Sequence, residues 1–98
     1  MSVMAELSIF PLDKGVSLSP YVARAVGIVR ESGLPYSFGP MGTCIEGEWE
    51  EVMQVISSCF QDMAQDCERI SLSLKIDYRQ NQDNRLQGKV ASVQEKLR

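Results

Sequence analysis

Two segments, one near each end of the chain, alternate apolar and polar residues so regularly that each must be a strand with one buried face. From Val3 to Leu12, Val3, Ala5, Leu7 and Ile9 fall on one side, and Met4, Glu6, Ser8 and Phe10 on the other. Between Arg69 and Tyr78, Ile70, Leu72, Leu74 and Ile76 oppose Ser71, Ser73, Lys75 and Asp77. A period of two sends successive side chains to opposite sheet faces, so each segment offers an apolar row that something must cover. The chain between them has to supply the cover.

It does so with two helical patterns. Ser19 followed by Pro20 reads as an N-cap with proline at the first helical position, and Val22, Ala25, Val26 and Val29 recur at three- and four-residue steps. Gly33 then provides a left-handed stop, which predicts a helix over about Pro20 to Ser32. Trp49, Val52, Met53, Ile56, Phe60, Met63, Ala64 and Cys67 form a second stripe, with Glu48, Glu50 and Glu51 at the end where the helix dipole favours acid. Between the helices, Pro35 to Phe38 reads as a short edge strand and Gly42 to Gly47 as another. Gly42 and Gly47 there predict a bulge or a close approach by another group. After Tyr78, Gln80 to Asn84 is loop-like, and Val90, Val93 and Leu97 predict a short amphipathic C-terminal helix. The order strand, helix, strand, strand, helix, strand is the split βαβ motif: an α+β, ferredoxin-like βαββαβ sandwich with a four-stranded antiparallel sheet and two helices on one face.

With 98 residues the chain is expected to form one domain, 1–98, that buries ~60–65% of its unfolded surface. Its formal charge is −3 and its basic residues are scattered, which argues against nucleic acid as a partner. No basic-flanked leader or long apolar run occurs, so a soluble, cytoplasmic protein is expected. Cys44, Cys59 and Cys67 lack metal-like spacing and there is no histidine, so neither a metal site nor a cofactor is expected. Cys59 and Cys67, eight residues apart on one helix, would be too distant to bridge. Without histidine, nucleophile elbow or phosphate-cradling loop, a binder is expected rather than an enzyme.

The helices would leave one sheet face open: Met4, Glu6, Ser8, Phe10, Ser71, Ser73, Lys75 and Asp77, joined by Cys44 and Glu46 if alternation continues, and by Tyr36 and Phe38 from the edge strand. Such a face can simply meet solvent, or its apolar area can mark self-association into a homo-oligomer, dimer or tetramer. At its edge Glu46 or Glu6 could accept hydrogen bonds from an amino or ring N–H, with Tyr36 or Phe38 stacking on a planar ring; each also has a plain role as a strand residue. Met41 could line a pocket or plug the sheet edge. Lys75, Asp77 and Arg79 could hold an anion, organise a second subunit, or be a solvated strand end. Trp49 belongs more naturally to the core than to a ligand wall.

The runs Ala5-Glu6-Leu7-Ser8-Ile9-Phe10-Pro11-Leu12 and Met41-Gly42-Thr43-Cys44-Ile45-Glu46-Gly47, the following Trp49-Glu50-Glu51-Val52-Met53 and the ending Val90 to Leu97 resemble the thiamine-binding protein family. The resemblance implies a ferredoxin-like fold, association through the sheets into dimers and tetramers, and a small ligand such as thiamine or its hydroxymethylpyrimidine portion. Carried over by position, it implies ligand roles for Ser8, Thr43, Glu46, Lys75 and Arg79. Asp13-Lys14-Gly15 departs from the Gly-Thr expected after the first strand, and Asp77-Tyr78-Arg79 differs in spacing from the family's tails. The expectation is a non-enzymatic protein binding a pyrimidine at a subunit interface, with Glu46 as acceptor. The alternatives are an assembly module without a ligand, and an enzyme using Lys75 and Asp77 as acid and base.

Overall fold

The alternating segments form β1 (Ser2–Pro11) and β4 (Ile70–Tyr78) of a four-stranded sheet. Between them lie α1 (Ser19–Glu31), β2 (Tyr36–Gly39), β3 (Gly42–Glu48) and α2 (Trp49–Ala64), and after them α3 (Arg85–Lys96). The structure, a computed structural model, describes residues 2–80 and 85–97. The loop expected up to Asn84 therefore lies, from residue 81, outside the described residues. The strand order is β2-β3-β1-β4 with every neighbour antiparallel, the expected ferredoxin-like α+β arrangement.

Register follows from burial. Ala5 stands opposite Ile45 and Ile76, and Leu7 opposite Thr43 and Leu74. Directly opposed residues share a face, so one apolar row crosses the three strands beneath α1 and α2. Val3, Ala5, Leu7, Ile9 and Ile45 from the sheet, Ala25 and Val29 from α1, and Val52, Val55, Ile56, Cys59 and Met63 from α2 close the core. Each fully buried aliphatic side chain there is worth about 1.5–3 kcal/mol. Slipping β1 by one residue would carry Glu6 and Ser8 into this core, which is why the register is unique.

Several expected placements are revised. The α2 stripe turns on Val52, Val55, Ile56, Cys59 and Met63, while Trp49 and Phe60 are exposed. Phe60 follows Cys59 and points about 100° away from it, and Trp49 opens the helix, with no preceding turn to enclose it. Leu72, expected beneath the helices, is exposed because β4 has a neighbour on one side only. Helix α1 begins at Ser19 rather than Pro20, so Leu18 and not Ser19 is the N-cap, and no side-chain capping bond is made there. Gly33 adopts φ +78°, as the helix stop requires. Helix α2 ends before Cys67, which is not on one helix with Cys59; all three cysteines are free.

Arg24 of α1 ties the two helices together. Its Nε donates to Asp62 at 3.1 Å, its Nη1 to Asp66 at 2.9 Å, and its Nη2 to the Asp62 carbonyl at 3.0 Å. Hydrogen bonding from Arg24 holds the Asp66 carboxyl below its ordinary range. No described helix is long and apolar enough to cross a membrane.

Candidate ligand-binding site

The central strands differ in length, and that difference makes a cavity. The β1–β4 ladder runs to Pro11, paired with Ile70, but the β1–β3 ladder ends at Leu7, paired with Thr43. From Ser8 onward β1 has no strand on that side. Helix α1 roofs the gap with Val22, Ala25, Val26 and Val29, and the β2–β3 hairpin closes its end with Phe38, Pro40 and Met41. The result is a notch of about 300 Å³, lined by Leu7 and Ile9 from the covered sheet face and by Ser8 and Phe10 from the other. It therefore runs around the free edge of β1. Among the described residues, none that lines it is ionisable. Thr43, almost buried, brings a hydroxyl with no hydrogen-bond partner among the described residues.

Gly42 makes the notch's inner wall possible. A Cβ at this position would lie 3.1 Å from the Leu7 carbonyl oxygen, so any other residue would have to push β3 and β1 slightly apart. Gly47 is crowded in the same way by Leu34, at 3.1 Å, and by Val52. Neither glycine is at a positive φ. The close approach expected from these glycines is present at both ends of β3.

The opposite sheet face is not wholly open. Helix α3 crosses it: the Arg85 backbone N–H donates to Glu46 Oε2 at 2.7 Å and the Leu86 N–H approaches Oε1 at 3.5 Å. Asp77 accepts from the Arg85 guanidinium and from Lys89 Nζ at 2.7 Å. These two cations hold the Asp77 carboxyl below its usual range, Lys89 first. Glu46, only 5% exposed, thus receives the positive end of α3, the position a carboxylate favours most at a helix start. Beneath Lys89 a smaller recess of about 140 Å³ is lined by Met4, Glu6, Cys44, Lys75 and Asp77. Burial raises the pKa of Cys44 there, that of Cys67, and that of Cys59 to about 11, so all three thiols stay protonated at neutral pH.

The residues expected to form one site are thus distributed. Ser8, Phe38, Met41 and Thr43 meet in the notch. Glu46 and Lys75 share the other face with Glu6 and Cys44, as alternation predicts, but Glu46 is covered by α3. Tyr36 and Phe38 do not belong to that face: they stand opposite Ile45 and Thr43, on the side where the helices pack. Ser37 takes the open-face position instead, because β2 pairs one residue out of step with the expected row. Tyr36 does not line the notch, and Arg79 lies exposed beyond β4. The α1 wall of the notch was not anticipated, since its valines read simply as core. The Arg85–Asp77–Lys89 cluster was not anticipated either, because nothing local in the sequence sets α3 against the sheet.

A sequence model of the family described as "Thiamine-binding protein" matches residues 5–94. A UPF0045 protein of Methanocaldococcus jannaschii is 34% identical over 93 residues, spanning 95% of this chain and 93% of its own. A UPF0045 protein of Mycobacterium tuberculosis is 37% identical over 98 residues, spanning 99% and 96%. The crystal structure of the M. jannaschii protein superposes with a TM-score of 0.88, covering 96% of this chain and 97% of that one. A Thermotoga maritima protein, named as a candidate thiamine biosynthesis/salvage protein, superposes at 0.84 with 27% identity, covering 95% and 99%.

Proposed function

Because the chain belongs to the thiamine-binding protein family, we propose that it binds thiamine or a related pyrimidine, such as hydroxymethylpyrimidine, in the notch between α1 and the β2–β3 hairpin. The observation that carries this reading is convergence: Ser8, Phe38, Met41 and Thr43 line one cavity of about 300 Å³. Mostly apolar walls with a few polar groups are what a small planar ligand needs, and the volume lies at the lower end of the range for such sites. Phe38 offers a ring face, Thr43 a free hydroxyl, and Met41 an adaptable cover at the mouth. Among the described residues no anionic group lines the notch to balance a thiazolium, so the pyrimidine half enters and the cationic half stays in solvent. The same lack among the described residues offers no general acid or base at the bound ring there, and supports a binding protein rather than an enzyme.

The notch reaches the open sheet face at Ser8 and Phe10, so a second copy docked on that face would close it. Val90 and Val93 of α3 and Leu97 just after it form a stripe that is more than half exposed, an apolar surface of the kind that marks association. The same stripe favours the second reading, a homo-oligomeric assembly module without a ligand.

Isothermal calorimetry with hydroxymethylpyrimidine and thiamine separates the two readings. Phe38→Ala should weaken binding by about 1 kcal/mol or more through the lost ring contact. Thr43→Val should weaken it by about 0.5–1.5 kcal/mol with the fold intact. Heats absent for both compounds, with a stable oligomer, would leave the assembly module standing.

A further inference from the structure

We propose that the ligand's amino-azine edge is read by the backbone of one residue, Ile9, whose N–H and C=O form the free edge of β1 inside the notch. The proposal rests on the notch being the pyrimidine site.

Parity identifies the residue. Leu12 donates its N–H to the Arg69 carbonyl on the β4 side at 2.7 Å, and strand N–H groups alternate sides. The β1–β4 register is unbroken from Val3 to Pro11, so Leu7, Ile9 and Pro11 turn their backbone groups the other way, toward β3. Leu7 is met there by Thr43. Continuing the ladder, Ile9 would be met by Met41, but the pairing stops short and Met41 turns outward, 85% exposed. No hydrogen bond joins Ile9 to Met41 or to any other described turn or loop residue. Pro11 supplies independent support. Proline is ordinarily excluded from a central strand because it cannot donate to the ladder; here the missing N–H would point to the side where no strand lies.

Ile9 is therefore the last residue on this side that has both groups, and it is itself 6% exposed. A buried backbone donor and acceptor without partners is costly, and native chains satisfy nearly all of them. A further strand is not the partner that fits. Only one residue of edge is free, α1 and the hairpin wall it in, and Pro11 ends the run. What fits is a small planar group with a donor beside an acceptor, because in an antiparallel ladder one residue's N–H and C=O are met together by the C=O and N–H of its opposite number. A 4-aminopyrimidine presents that pair: the ring nitrogen accepts from the Ile9 N–H while the exocyclic amino group donates to the Ile9 C=O. The thiazolium half has no N–H to offer.

The test uses the whole chain labelled with ¹⁵N-isoleucine and titrated with 4-amino-5-hydroxymethyl-2-methylpyrimidine and with the analogue lacking the 4-amino group. The Ile9 amide should move downfield and exchange more slowly at saturation, while Ile45, already in the ladder, stays put. The des-amino compound should bind about tenfold more weakly or worse, since it leaves the Ile9 carbonyl unpaired. Saturable binding of both compounds with equal affinity and an unmoved Ile9 amide overturns this assignment and leaves the notch as the site. No saturable binding of either compound overturns both.

Discussion

At Gly42 the space for a side chain is taken by backbone, the Leu7 carbonyl, whereas at Gly47 it is taken by the flexible end of Leu34. The two crowdings are equal in distance but not in remedy. Leu34 can rotate away, while moving Leu7 breaks a ladder pair. Gly42→Ala should therefore cost about 1–3 kcal/mol in urea unfolding and disturb the notch, while Gly47→Ala should cost less than half of that. Equal losses would mean that β3 shifts as a unit. Glu46 gives a second contrast at this scale. Its carboxylate is engaged by the first two N–H groups of α3, so Glu46→Ala should raise amide exchange across residues 85–97 and cost about 0.5–2 kcal/mol. Pyrimidine affinity should stay unchanged, because Glu46 does not line the notch. A loss of affinity without loosening of α3 would return Glu46 to a ligand role.

Helix α3 is held differently from α1 and α2. They bury apolar side chains; α3 buries none and is fastened near its start by Glu46 and Asp77. Such a helix should respond to charge. The Asp77 carboxyl is depressed in the folded chain by Lys89 and Arg85. The stabilisation this gives is fully present above the ordinary aspartate value, begins to fall away below about pH 4, and is lost as pH drops through the depressed value. Asp66, depressed by Arg24, weakens the α1–α2 tie over the same acid range. Asp77→Asn should release α3 at neutral pH. Cys44, half-buried in the recess beneath Lys89, is then alkylated faster, while Cys59 and Cys67 in the core keep their rates. Unchanged Cys44 labelling in Asp77→Asn would show that other contacts hold the helix.

For the whole molecule the question is what covers its remaining apolar surface. The expected aromatic pair on the open face is absent, since Tyr36 and Phe38 are on the helix side, and Met4 and Phe10 remain there among charged and hydroxyl residues. The α3 stripe adds the missing apolar area. If a second copy covers it, Val93→Asp should shift sedimentation toward the monomer with the helical signal retained, because the side chain is already exposed and its replacement leaves the core untouched. A monomeric parent chain would remove the interface and leave the notch open on the sheet side.

The two alternating segments, the valine stripe of α1 and the stop at Gly33 determined the element order and the ferredoxin-like sheet, because periodicity and backbone sterics act over a few residues and are written locally. The close approach at Gly42 and Gly47 was legible because a strand interior seldom spends glycine without one, and alternation made legible the sharing of a face by Glu46, Glu6 and Lys75. Only the tertiary structure decided that the β1–β3 ladder stops at Leu7 while β1 runs on to Pro11, that β2 turns Tyr36 and Phe38 toward the helices, and that α3 lies across Glu46 and Asp77. Those facts depend on pairing register and helix docking between residues far apart in the chain. A one-residue offset there exchanges the faces of a whole strand without changing any local pattern.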